Sequence, residues 1–249
     1  MGQLAGSAAK TLAMELYRRG MIKTWLRDKP EGWVLLSGLW SPFYLQLRAL
    51  PSHPDLMRTI GANLAHLIKA RVREATRVVG IATAGVPIAT AVSLEGGLPC
   101  AYTRKIEGVR SAEALREALS SYGDHSLIEG DLAAGDVVVL VDDLVTRFDS
   151  KIAALEMLAR EYARRGISDY LVRAVAVVVD REQGALSEAT ARGVELVSML
   201  QFRSEALEHL RDTMTPLEVE IILEYLDDPE PFQDLGRQES LRTLARAAQ

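Results

Sequence analysis

The sequence predicts an α/β protein built on a mainly parallel, twisted sheet flanked by helices, and three observations carry that prediction. Short apolar runs recur through the middle of the chain, at 78–82, 101–102, 137–141, 172–179 and 194–197. Stretches of helical character at about 87–95, 150–165 and 184–192 separate them, and strand alternating with helix gives a parallel sheet covered on both faces. The run 137–141 is apolar at every position, as a strand buried on both faces should be. Composition agrees with a globular domain: 249 residues, 48% apolar and 25% charged.

The remaining elements follow in chain order. Residues 9–23 place Leu12, Leu16 and Tyr17 on one face, with Arg18, Arg19 and Lys23 late in the segment where cations suit a helix C-terminus. Residues 33–45 hold two β-rich runs around Ser37-Gly38, a hairpin signal. Residues 55–72 return to helical spacing behind Pro54, which suits a helix start. After Thr213 the alternation stops. Residues 216–226 read as helix, 227–231 break it, and 239–247 read as a last short helix. The expected organisation is therefore a main domain over 1–212, with a small N-terminal hood at about 9–50, and a helical extension over 213–249.

Charge and cysteine usage narrow the chemistry. Twenty-nine Lys and Arg against 34 Asp and Glu give a net charge of −5, and there is no cationic run. Bulk nucleic-acid binding, which depends on neutralising phosphates, is not expected, and any anionic ligand needs a local positive site. The single cysteine, Cys100, forms no intrachain disulfide and reads as a small core residue. The first ten residues lack an apolar core of signal-peptide type, and no run reaches the ~18 apolar residues of a membrane span. A cytoplasmic protein without a membrane segment is the expectation.

In open parallel sheets, ligands bind beyond the carboxyl ends of the strands. There the run 137–141 leads directly into Asp142-Asp143, then Leu144-Val145-Thr146-Arg147-Phe148-Asp149-Ser150 and a helix. Two carboxylates can grip hydroxyls or a hydrated cation while the helix start receives an anion. The alternative is a pair of turn residues facing solvent.

This segment resembles the phosphoribosyl pyrophosphate signature of the type I phosphoribosyltransferases. Three more segments, in the same order as in that family, make the chain similar to orotate phosphoribosyltransferase. They are the hairpin Ser37-Gly38-Leu39-Trp40-Ser41-Pro42-Phe43-Tyr44, the loop Gly80-Ile81-Ala82-Thr83-Ala84-Gly85, and Asp180-Arg181-Glu182-Gln183-Gly184. The resemblance covers roughly 10–205. It implies the type I phosphoribosyltransferase fold and a Mg²⁺-dependent transfer of ribose 5-phosphate from phosphoribosyl pyrophosphate to orotate, within pyrimidine nucleotide synthesis. It also implies a homodimer.

Residue by residue, the resemblance implies that Asp142 and Asp143 contact the ribose, and that Thr146 and Ser150 face the 5′-phosphate, with Arg147 beside them. Thr83, Ala84 and Gly85 would hold pyrophosphate, and Arg104 and Lys105 would meet phosphate or pyrophosphate. Arg181 would meet orotate's carboxylate with two hydrogen bonds. Ser37, Phe43 and Tyr44 would belong to the base side, and Mg²⁺ would be carried mainly by the substrate's pyrophosphate.

The sequence also departs from the family's pattern. Ser120 stands where the catalytic lysine belongs, ahead of Tyr122-Gly123, and an enlarged segment, 106–121, carries Arg110 and Arg116 as possible replacements. Leu36 and Ala84 stand where cations are often found. Arg147-Phe148-Asp149 replaces the small residues of the phosphate turn. Two readings of that turn stay open: Asp149 caps the following helix and repels the anion, or Arg147 offers a side-chain fork to it. The alternative function is a catalytically weak, nucleotide-sensing relative.

Overall fold

The computed structural model describes residues 6–35, 37–106, 108, 112–119 and 125–248. Leu36, Arg110, Ser120, Tyr122 and Gly123 lie outside the described residues, as does the side chain of Arg116. Helix α1 (Gly6–Arg18) ends earlier than the expected 9–23. Gly20 takes a φ of +69° and its amide bonds Tyr17 O, a left-handed stop that glycine adopts without a Cβ clash. Lys23 consequently lies in strand β1 (Ile22–Thr24) and not in a helix. There follow β2 (Trp33–Val34), β3 (Trp40–Ser41), β4 (Phe43–Leu45), a 3-10 turn (Leu47–Ser52) and α2 (Pro54–Arg71). The middle of the chain forms β5 (Arg77–Gly80), α3 (Gly85–Gly96), β6 (Cys100–Thr103), α4 (Ala112–Leu119) and β7 (Ile128–Glu129). Next come β8 (Asp136–Val145), α5 (Asp149–Arg164), β9 (Tyr170–Asp180), α6 (Ala185–Ala191) and β10 (Glu195–Gln201). A π-helical turn (Phe202–Ala206) leads to α7 (Leu207–His209), α8 (Pro216–Asp227), a 3-10 turn (Glu230–Gln233) and α9 (Leu235–Ala247).

Two compact units emerge, one of Leu50–Leu200, the other of Ala5–Ala49 with Gln201–Gln249. The first holds a six-stranded sheet in the order β10-β9-β8-β5-β6-β7. β5, β6, β8 and β9 pair in parallel, whereas the short edge strand β7, which the apolar pattern did not single out, is antiparallel to β6. β8 sits between β5 and β9, as its apolar run requires. Helix α5 lays Ala153, Ala154, Met157, Leu158 and Tyr162 on the face that carries Val138, Leu140, Val175 and Val177. At the other end of β8, the buried Asp136 accepts from Arg77 Nε and Tyr162 Oη, both at 2.8 Å. Burial pushes the Asp136 carboxyl up, but the Arg77 guanidinium and the Ala133 amide outweigh it and hold the group below its ordinary range.

The second unit joins the hood to the C-terminal helices. The hairpin expected at 33–45 forms through β2 and β3, with Trp33 opposite Ser41, while β4 turns away to pair with β1. Trp25 Nε1 donates to Leu241 O at 3.2 Å, and Trp40 N donates to Gln233 Oε1 at 2.8 Å. The buried Glu218 closes a capping box with Thr215 at the start of α8 and accepts from Thr24 Oγ1. The segment 213–249 thus packs in the same unit as the hood. Helix α9 starts four residues before the expected 239, because the Asp234 carboxylate caps it by accepting from Arg237 N at 2.9 Å.

Candidate active site

β8 continues past its apolar run and carries both acids inside the strand. Side chains alternate between the faces of a strand, so adjacent acids must point opposite ways. Asp142 follows Val138 and Leu140 onto the α5 face. There Lys151, on the first turn of α5, reaches its Oδ2 at 2.8 Å, with both side chains under 10% exposed. Asp143 leaves the strand from the other face, yet its carboxyl comes within side-chain hydrogen-bond reach of Asp142. Burial, then the neighbouring Asp142 charge, push its carboxyl up to about 7, with Lys151 pulling the other way.

The turn after β8 explains the unusual tripeptide. Phe148 adopts φ +85°, a glycine-like conformation, and its ring is buried in the core with Val145, Ala153 and Met157. The phenyl points inward, so the outer side of the turn stays clear. Phe148, not Asp149, is the N-cap residue of α5, and no side chain caps it. Of the two readings left open for this turn, the Asp149 cap does not hold: the left-handed turn at 148 carries Asp149 one position further, into the helix. Arg147, Asp149 and Ser150 are exposed and Thr146 is half-buried.

A second loop abuts this strand end. Ile81 N donates to Val141 O and Ala82 N to Thr103 Oγ1, each at 2.8 Å; the Ala82–Thr83 peptide is cis. Gly85 opens α3 so close to β8 that an added Cβ would stand 2.2 Å from Val141 O and 3.0 Å from Asp142 Cα. Arg104 and Lys105 follow β6, exposed, with Arg104 N bonded to Leu127 O at 2.9 Å. Together with Ala82, Thr83, Tyr102 and Glu129 they line a cleft of about 520 Å³. Arg181 stands beyond β9, its amide 3.0 Å from Val145 O.

Thr83, Ala84, Gly85, Arg104, Lys105, Asp142, Asp143, Thr146, Arg147, Ser150 and Arg181 all lie in the first unit, at the carboxyl ends of β5, β6, β8 and β9. Ser37, Phe43 and Tyr44 lie in the second. There Phe43 is 1% exposed and stacks on Phe202 at 5.2 Å, making its ring part of that unit's core. Tyr44 is half-buried, its ring 6.1 Å from that of Trp33, and Ser37 is exposed. Cys100 is half-buried rather than fully buried, and burial raises its thiol. Sequence reasoning missed Lys151 and Thr103. For Lys151 a signal existed, since a cation in the first turn of a helix opposes the helix dipole and needs a reason to be there.

A central parallel strand that delivers two acids into a helix-starting turn, with a strand-loop-helix pressed against the same strand end, is the layout of a type I phosphoribosyltransferase. No family model matches the chain. The orotate phosphoribosyltransferase of Thermococcus gammatolerans is 35% identical over 175 residues, covering 70% of this chain and 82% of that relative. The crystal structure of orotate phosphoribosyltransferase from Aeropyrum pernix aligns with TM-score 0.59 and 28% identity, over 80% of this chain and 97% of its own. The structure of Leishmania donovani UMP synthase aligns with TM-score 0.70 and 25% identity over 89% of this chain, which spans 43% of that longer one. The chain belongs to the orotate phosphoribosyltransferase family.

Proposed function

We propose that this protein transfers ribose 5-phosphate from phosphoribosyl pyrophosphate to orotate, giving orotidine 5′-phosphate and pyrophosphate. The carrying observation is the meeting of loop 82–85 with the acid-bearing end of β8 in a family member at 35% identity. In such a transfer positive charge grows on the sugar and negative charge on the leaving group, so carboxylates and cations must stand on opposite sides of the breaking bond. The acid pair at 142–143 supplies the first, with Asp143 toward the ribose hydroxyls. Arg104, Lys105 and the backbone of 83–85 supply the second. Thr146, Ser150 and the uncapped start of α5 receive the 5′-phosphate, with Arg147 at its edge.

Arg181 meets the orotate carboxylate, its guanidinium offering two parallel donors. Among the described residues no three His, Cys, Asp or Glu are grouped to hold a metal. The family resemblance implies Mg²⁺, which binds mainly through substrate phosphates with few protein ligands. When bound, the ion neutralises the departing pyrophosphate. A homodimer and a cytoplasmic location accord with the family. No described helix is long and apolar enough to cross a membrane. Nothing in these findings favours the sensing alternative.

Steady-state kinetics of Arg181→Ala test the assignment of the base contact. The KM for orotate should rise at least about tenfold, the value of a lost charge-assisted pair, with that for phosphoribosyl pyrophosphate little changed. Equal rises in both would remove Arg181 from the base.

A further inference from the structure

Lys151 is an anomaly in energetic terms. It places a cation in the first turn of a helix, where the dipole opposes it, and its side chain is 4% exposed, where a lone ammonium is costly. All three of its donor directions are used. Nζ donates to Asp142 Oδ2 at 2.8 Å, to Leu144 O at 2.6 Å and to Ser150 Oγ at 3.2 Å. Leu144 and Ser150 flank the turn proposed to hold the 5′-phosphate, so one amine fastens its two ends. Phe148 fixes the middle of the same turn from the core side.

Electrostatics point the same way. A substrate carrying three phosphoryl groups must bind beside two adjacent carboxylates, which would repel it if both charges were uncompensated. Lys151 sets a positive charge in contact with one of them. It also holds that carboxylate on the α5 face, leaving Asp143 as the acid on the other side of the strand.

We propose that Lys151 is a positioning residue of the phosphate turn. It fixes and neutralises Asp142 and ties Leu144 to Ser150, so that the turn is set for the 5′-phosphate before substrate arrives. The inference rests on the proposed transfer reaction and assigns the two acids unequal duties: Asp142 holds Lys151 in place and the pair works as one unit on the turn, with Asp143 toward the sugar.

The test compares wild type, Lys151→Met, Lys151→Arg, Asp142→Asn and the double variant Asp142→Asn/Lys151→Met in steady-state kinetics, with thermal melting as the folding control. Lys151→Met should lower kcat/KM for phosphoribosyl pyrophosphate by about tenfold or more, the loss expected of a charge-assisted hydrogen bond, while the KM for orotate stays within about twofold. Lys151→Arg should recover most of that loss. The double variant should match Asp142→Asn within about threefold, because the lysine acts through that carboxylate. A Lys151→Met enzyme within about twofold of wild type overturns the inference, and so does a double variant about tenfold worse than Asp142→Asn. If Lys151→Met does not fold, the last comparison decides alone, since removing both charges leaves none buried unpaired. If wild type makes no orotidine 5′-phosphate, the reaction assignment fails. Calorimetric binding of phosphoribosyl pyrophosphate to the same variants then tests Lys151 by itself, with unchanged affinity in Lys151→Met as the contradicting result.

Discussion

The amide of Ala82 donates a 2.8 Å hydrogen bond to Oγ1 of Thr103. This bond joins the loop after β5 to the last residue of β6, one position before Arg104-Lys105. It sets the backbone proposed for pyrophosphate relative to the cations proposed for the same group. Thr103 is 3% exposed, so its loss leaves a half-buried amide without this partner. Thr103→Val, nearly isosteric, should raise the KM for phosphoribosyl pyrophosphate severalfold and cost about 1–2 kcal/mol in stability, and Thr103→Ser should restore both. Steady-state kinetics and thermal melting check this. Wild-type values in Thr103→Val would show that the loop is held by other contacts.

Phe148 reverses an ordinary rule. Glycine usually destabilises relative to alanine, yet a φ of +85° strains any residue with a Cβ, by roughly 1–2 kcal/mol. Both substitutions also empty a core site, costing roughly 3–5 kcal/mol. Phe148→Gly should therefore be more stable than Phe148→Ala by about 1 kcal/mol in denaturant melts. The opposite order would mean that the turn is not left-handed.

Gly85 marks the tightest approach in the site. An added Cβ would stand 2.2 Å from Val141 O, and the contact is backbone, which cannot swing aside. Gly85→Ala must shift either α3 or the end of β8 that bears Asp142 and Asp143. A loss of about 1–3 kcal/mol in stability is expected, with turnover reduced at least about tenfold. Melting and turnover both unchanged would remove this constraint from the account.

Glu161 anchors the return of the segment that begins at Arg104. Fully buried, it accepts from Leu127 N at 3.0 Å, Arg165 Nε at 2.7 Å and Arg164 Nη2 at 2.6 Å. Burial pushes its carboxyl up, but the hydrogen bond from Arg164, then those from Leu127 and Arg165, win and lower it to about 2. The folded-state value lies below the unfolded one of about 4.3, so this stabilisation is present above that pH and lost as pH falls toward 2. Glu161→Gln should be less stable than wild type at neutral pH by on the order of 2 kcal/mol, after allowing for solvent screening of the half-exposed Arg164. Melting from pH 7 to pH 2.5 should show that difference shrinking below about pH 4.5. A constant difference would show that the charge of Glu161 is not what matters.

Much of this was legible in the sequence, for physical reasons. Residues 137–141 announced a central strand because burial on both faces leaves no place for a polar residue. Asp142 and Asp143, just past that apolar run, announced the ligand end of the sheet, while Gly85 was picked out by the family resemblance alone. What escaped depended on contacts between distant residues or on backbone angles. Lys151 reads as a surface cation until Asp142 is seen under it. Phe148 looks like an obstruction until its φ sends the ring into the core. Asp149 reads as a cap by residue type, but that same turn carries it past the capping position. Gly20 was readable in principle as the stop of α1, yet the cations beyond it matched a helix end equally well.

The most direct test of the central claim is the reaction of the purified wild-type protein with orotate, phosphoribosyl pyrophosphate and Mg²⁺. Substrate loss and nucleotide product are followed by chromatography. The account predicts stoichiometric formation of orotidine 5′-phosphate and pyrophosphate, sharply reduced in Asp143→Asn. Retained phosphoribosyl pyrophosphate binding without any orotidine 5′-phosphate would contradict it.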